Sequence, residues 1–196
     1  MFNILLTISL FSLITCSTLE NTGSSDTFYY FAYGSNLLAK RLHIQNPSAV
    51  FYSPAKLANH RLDFITYHER WNGAVATIVE DDQQVVWGAV WTLNVNQMQH
   101  LDQQEGVDTN IYFAKNVTVT TPSGKEILAR TYQETVTPTK RSGETLSADR
   151  LPSSTYLGVI ILGAIESNLP AEYIASLFAL PANGKLGSQN IRDELG

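Results

Sequence analysis

Cysteine is all but missing: the 196-residue chain holds one, Cys16. A single thiol excludes an internal disulfide framework and a cysteine-rich zinc site. Cys16 also lies in or beside a segment expected to be removed, which excludes a cysteine nucleophile from the mature protein. Positive charge is scarce as well. Lys and Arg number 13 against 18 Asp and Glu, the formal net charge is -5 and the pI is about 5.3. The nearest approach to a basic stripe, Lys140-Arg141, is an isolated pair. Neither nucleic acid nor electrostatic docking on anionic lipid is therefore expected. His43, His60, His68 and His100 show no ligand spacing, so no metal is expected and the four read as surface or structural residues. No internal repeat is visible, and twelve Gly and seven Pro give no low-complexity bias.

Long apolar runs are also wanting. Phe2 to Ile14 (FNILLTISLFSLI) is almost wholly apolar, but it stops well short of the ~20 residues a membrane-spanning helix needs. It fits the apolar region of a secretory signal peptide, with small residues Thr15, Cys16, Ser17 and Thr18 behind it and cleavage expected after Ser17. No Lys or Arg precedes the run, so only the α-amino group supplies positive charge. An uncleaved anchor or a strand of the fold are the rival readings. Leu13-Ile14-Thr15-Cys16 also has the outline of a bacterial lipoprotein site, although Thr before the Cys fits it poorly. The expected boundaries are a signal peptide over residues 1–17, a flexible polar leader over 18–27 and one domain over 28–196. This implies a secreted protein on a fold of cytosolic type. Asn116-Val117-Thr118 is the open glycosylation sequon, since Asn46 is followed by Pro47, and Asn116 is the residue that would carry sugar.

What the chain does have is an aromatic stretch, Phe28-Tyr29-Tyr30-Phe31-Ala32-Tyr33, which suits a pleated, half-buried strand. Gly34-Ser35-Asn36 breaks it, and Leu37 to Leu42 takes up helical spacing, with Ser35 or Asn36 available as a cap. Extended pieces follow at Val50-Phe51-Tyr52 and Leu62 to Thr66. Ala74 to Val79 and Val85 to Leu93 flank Glu80-Asp81-Asp82-Gln83 and read as a β-hairpin, with Gly88 marking a bulge or close approach. Asn94 to Gln104 reads as a helix with an Asn94/Gln97 capping box and Gly106 as its left-handed cap. Strands are expected over Tyr112 to Thr120 and Ile127 to Thr135. Next come a polar loop to Arg150, a helix capped by Ser153 or Ser154, a last helix from Pro170 to Pro181, and a polar tail. About six strands and four short helices, interspersed, predict an α+β fold with a mixed, barrel-like β-sheet and short flanking helices.

Two features carry chemistry. A strand-to-helix turn at Tyr33-Gly34-Ser35-Asn36 leaves backbone N–H groups without an internal partner, able to hold a carboxylate or a developing oxyanion. Taken alone, such a junction reads more readily as an ordinary structural turn. On the Asn94 helix the apolar positions Val95, Met98 and Leu101 define the inward face, and Glu105 falls on that face four residues after Leu101. A carboxylate so placed, at the negative end of the helix dipole, has its pKa pushed up toward the range useful for proton transfer. If the helix frays at Gln104, Glu105 simply reaches water. Asp102 is expected to be solvated or a structural partner.

Tyr30-Phe31-Ala32-Tyr33-Gly34-Ser35-Asn36-Leu37 together with Leu101-Asp102-Gln103-Gln104-Glu105-Gly106-Val107 closely resembles the γ-glutamylcyclotransferase family. Asn46 to Ala49, Gly73 to Ile78, Val86 to Trp91, Tyr156 and Asn168 to Tyr173 match in the same order, so the likeness runs from about Phe28 to Leu180. The resemblance implies release of 5-oxoproline and a free amino acid from a γ-glutamyl-amino acid, with no cofactor and no metal. It implies Glu105 as catalytic acid–base. It also implies substrate binding by Tyr30, Phe31, Ala32, Tyr33, Gly34, Ser35 and Tyr156. The implied partner is a small γ-glutamyl molecule, with no membrane once the signal is removed; a homodimer stays open. Leu157-Gly158 stands where the family suggests a more basic stretch, which leaves glutathione or γ-glutamyl-ε-lysine as alternative substrates. A secreted binding protein that kept the fold and lost turnover is the reading from another class.

Overall fold

The computed structural model describes residues 26–138 and 145–196. The expected signal peptide, most of the leader and Lys140-Arg141 lie outside the described residues. Five strands form the centre: β1 (Thr27–Ala32), β2 (Val50–His68), β3 (Gly73–Asn94), β4 (Tyr112–Thr120) and β5 (Glu126–Glu134). They close into a barrel in the order β1-β3-β2-β4-β5. All neighbours are antiparallel except β1 and β5, which meet in parallel at Tyr30 and Arg130. Thr27, assigned by the sequence to the leader, already pairs with Asn94 as the first rung of β1.

The barrel forms because each strand turns an apolar side inward. Phe31, Phe64, Ile78, Val86 and Leu93 are fully buried there. At roughly 1.5–3 kcal/mol for each large side chain buried, such a core dominates the stability of the fold. Where β1 crosses β3, Gly88 permits close approach: a Cβ at that position would lie 2.3 Å from the Ala32 carbonyl oxygen and 2.7 Å from the Phe31 ring. The expected close approach at Gly88 is therefore present.

Several expectations need correcting. Ala74 to Val79 and Val85 to Leu93 do not fold back on each other. Both arms run on along β2, and Asp81 to Gln84 bulge out opposite Asn59, whose φ of 57° bends the facing strand. The true hairpin is β2–β3, turning at Glu69 to Asn72, so the sheet has five strands rather than six. The two extended pieces before Thr66 belong to the single long β2. A charged tetrapeptide between apolar runs is ambiguous in sequence, since a wide bulge and a turn need the same polar residues.

Five helices cover the barrel: α1 (Ala39–His43), α2 (Met98–Gln104), α3 (Ser154–Glu166), α4 (Ala171–Phe178) and α5 (Gln189–Leu195). Ser153 caps α3, its Oγ accepting from the Tyr156 N–H at 3.1 Å, which fixes Tyr156 in the first turn. The loop before α3 is tied to the barrel by Arg150, which donates to the Phe64 carbonyl at 2.8 Å and pairs with buried Asp63. On α4, Leu177 is buried and Phe178 is exposed. The expected polar tail instead contains α5, capped by Ser188 and anchored by fully buried Ile191. None of the helices among the described residues is long and apolar enough to cross a membrane.

Candidate active site

The site lies where the end of β1 meets the end of α2. After Ala32 the chain turns through Tyr33 and Gly34 into a 3-10 turn, Ser35–Leu37, before α1. No acceptor among the described residues takes the Gly34 or Ser35 backbone N–H. The expected side-chain cap is not made, because Asn36 turns elsewhere. Its Nδ2 donates to Glu105 Oε1 at 2.8 Å and lies 3.0 Å from the Tyr30 hydroxyl. The Asn94/Gln97 capping box is also absent: Gln97 accepts from Ser48 Oγ, the segment opens as a 3-10 turn, and Val95 is exposed. Leu101, by contrast, is buried, and Gly106 takes the left-handed cap at φ 70°. That cap stops α2 at Gln104, with Glu105 as the C-cap residue just beyond it, aimed inward.

Glu105 receives Asn36 at 2.8 Å and, more weakly, the Tyr30 hydroxyl at 3.5 Å, both on Oε1. Oε2 takes no partner among the described residues, so one carboxylate oxygen is held and the other is free to meet a ligand. Asn36 is oriented in turn by Gln104, which donates to its Oδ1 at 3.4 Å and accepts from Asn46 at 2.6 Å. Burial pushes the Glu105 pKa up to about 7, against the opposing pull of Arg41 and of the Tyr30 and Asn36 hydrogen bonds. At neutral pH both protonation states are populated, as a group that must take and return a proton requires.

Two connected cavities meet at Glu105. The inner recess, about 40 Å³, is lined by Tyr30, Tyr33, Gly34, Ser35, Ala76, Tyr132 and others. The outer cavity, about 170 Å³, adds Arg41, Gln45, Arg70, Trp71, Val75 and Ile111. Ser35, Asn36, Glu105, Tyr112 and Tyr156 line both. Tyr156 packs against Trp71, with ring centroids 4.8 Å apart and the planes tilted by 60°, and its hydroxyl accepts the Ala76 N–H at 3.0 Å. The phenol proton itself remains available to a ligand. Tyr33 and Tyr112 donate to the Tyr132 and Ala76 carbonyls at 2.5 and 2.8 Å. Burial raises the pKa of Tyr30, Tyr33, Tyr112, Tyr132 and Tyr156 above the usual tyrosine range, so all remain neutral donors. Asp102 is a structural partner: it holds Arg130 through two oxygens at 2.7 and 2.8 Å and accepts from Tyr132 at 2.5 Å.

The structure thus brings Tyr30, Tyr33, Gly34, Ser35, Tyr156 and Glu105 to one place. Phe31 and Ala32 are different. Both are fully buried beneath the turn and line neither cavity. Asn116 lines neither cavity and is exposed on β4 opposite Arg130. His68 borders the outer cavity but is exposed, and no group of three potential metal ligands occurs among the described residues. Sequence reasoning missed Arg41, Tyr112 and Tyr132 as cavity residues and read Asn36 only as a cap. The available signal for Asn36 was its place beside Ser35 in a turn with spare donors.

An inward carboxylate, a cluster of neutral phenols and free backbone N–H groups thus line one shared site. The pattern of the AIG2-like family matches residues 85–177. The γ-glutamylcyclotransferase of Bos taurus is 44% identical over 174 residues, 86% of this chain and 87% of its own. That of Mus musculus is 42% identical, covering 87% and 86%. A solved structure of a γ-glutamyl cyclotransferase superposes with a TM-score of 0.77 at 38% identity, covering 86% of this chain and 97% of that one. The chain belongs to the γ-glutamylcyclotransferase family, and with it to the lyase-type cyclising enzymes.

Proposed function

We propose that the protein converts γ-glutamyl-amino acids to 5-oxoproline and the free amino acid, with Glu105 moving the protons. The observation that carries this reading is the half-held carboxylate of Glu105, its pKa near 7, at the junction of the two cavities. The γ-glutamyl group folds into the inner recess so that its own α-amine faces its γ-carbonyl. Holding the chain in that shape supplies much of the acceleration. The α-amine enters as an ammonium and gives a proton to Glu105. The freed amine attacks the γ-carbon, and the C–O π bond opens to an oxyanion facing the Gly34 and Ser35 N–H groups. Glu105 gives its proton to the departing nitrogen and, once unprotonated, takes the surplus proton from the ring nitrogen; the amide C–N bond breaks as the carbonyl reforms, and Glu105 passes this second proton to the released amine. Of the three ammonium protons, one stays on the ring and two end on the released amine.

The test is to incubate the domain with γ-glutamyl-alanine, glutathione and γ-glutamyl-ε-lysine and to measure 5-oxoproline. Product from the first and little from the other two is expected. Product from none of them would favour a binding protein on the same fold. Export belongs to this proposal too: secreted material should begin near Thr18, and material that keeps Met1 would contradict the signal peptide. The exposed position of Asn116 supports glycosylation there, which a mobility shift on deglycosylation would reveal.

A further inference from the structure

Arg41 is unexplained by the chemistry above. It sits on α1 with only 7% of its surface exposed, and its Nε and Nη1 have no hydrogen-bond partner among the described residues. A guanidinium stays charged at any physiological pH. A buried cation without an anion is costly, and so are unmet N–H donors. Both of these donors belong to a side chain that lines the outer cavity and not the inner recess.

The other groups around that cavity do not satisfy it. Glu105 already spends Oε1 on Asn36 and Tyr30; it is near enough to act on the Arg41 pKa, yet no salt bridge joins the two among the described residues. Arg70, the second cation on the cavity wall, is paired with Glu194. Gln45 offers a buried Oε1 that also lacks a partner. Trp71, Val75 and Ile111 add apolar wall. The outer cavity therefore offers an unpaired cation, an unmet acceptor and a greasy side: the complement of an amino acid.

We infer that Arg41 binds the α-carboxylate of the departing amino acid and so selects γ-glutamyl-amino acids over γ-glutamyl amines. This rests on the cyclotransferase reading, which puts the scissile bond at Glu105. The γ-glutamyl half then occupies the recess on one side of Glu105, and the departing half extends into the wider cavity on the other. Arg41 lies on the second side. Charge-assisted bonds from a desolvated guanidinium discriminate strongly against a neutral isostere, because the wrong ligand leaves the cation buried and unmet.

The experiment compares kcat/KM for γ-glutamyl-alanine and γ-glutamyl-alaninamide, which differ only in the charged terminus, reading 5-oxoproline. The wild type should prefer the free acid by about 10–100-fold, the range expected for charged hydrogen bonds. In Arg41→Gln that ratio should fall toward one, and Arg41→Lys should retain part of it. A wild-type ratio near one overturns the inference without any variant. So does a folded Arg41→Gln enzyme that keeps the preference, or that slows on both substrates equally. Absence of 5-oxoproline from both substrates would instead overturn the cyclotransferase reading, and this inference with it.

Discussion

The fold makes the charge of Glu105 expensive and its proton easy to keep. Its pKa of about 7 stands above the ordinary 4.5, with burial as the main cause. The sign follows. The folded state binds the proton more tightly than the unfolded chain does, so stability is lost as pH rises from about 4.5 through 7. Glu105→Gln removes that cost while keeping an acceptor for Asn36. Its thermal midpoint should match the wild type near pH 4 and exceed it by a few degrees at pH 8; a gap that is constant with pH would contradict the placement. Glu134 is also pushed up to about 7 by burial, but it is common to both proteins and cancels in the difference. Asn36 acts the other way, since its hydrogen bond favours the carboxylate. Asn36→Ala should lower kcat/KM by about 10-fold and move the acid limb of its pH profile upward, whereas an unchanged limb would mean that Asn36 does not tune Glu105. The direction of Glu105 was legible in the sequence from Met98 and Leu101. Its partner was not, because Asn36 is 69 positions away and its side chain, viewed locally, suits a cap equally well.

Strands and helices decide how well that geometry holds. The aromatic β1, the Gly106 stop and the Ser153 cap were each readable locally, since each is set by residues within four positions. The continuity of β2 and β3 was not, because it depends on pairing across the barrel, where Asn59 faces the Asp81 to Gln84 bulge. The helix α5 escaped for a related reason: a short polar segment becomes helical when Ile191 finds a cavity in the core. Ile191→Ala should therefore cost about 2–5 kcal/mol in urea denaturation, and a cost under half of that would mean that α5 is loosely attached. Gly88→Ala forces a methyl into the Ala32 carbonyl and the Phe31 ring. It should destabilise by about 1–3 kcal/mol or more and, by moving β1, reduce 5-oxoproline formation as well. Normal stability would show that the crossing has slack.

Taken together, the barrel supplies a rigid floor and the helix ends and turns supply the chemistry. Phe31 and Ala32 stand in the core so that Tyr30, Tyr33 and Gly34 can stand above it, which is why one motif contains both buried and cavity-lining residues. The net charge of -5 suits a protein whose ligand is small and whose only unpaired buried guanidinium among the described residues is inside the cavity. Fold and family were accessible from the motifs between Phe28 and Leu180. The two-sided cavity was not, since Arg41, Tyr112 and Tyr132 come from three separate elements. The proposed reaction turns on proton transfer by Glu105 to and from a γ-glutamyl-amino acid. The decisive experiment follows 5-oxoproline release from γ-glutamyl-alanine between pH 5 and 9 in the wild type and in Glu105→Gln, at doses where kcat/KM is resolved. The wild type should show an acid limb with an apparent pKa near 7, set by Glu105. The variant should fall by about 10²–10⁴-fold and lose that limb. A variant that turns over as fast as the wild type, or that keeps the same limb, would contradict the account.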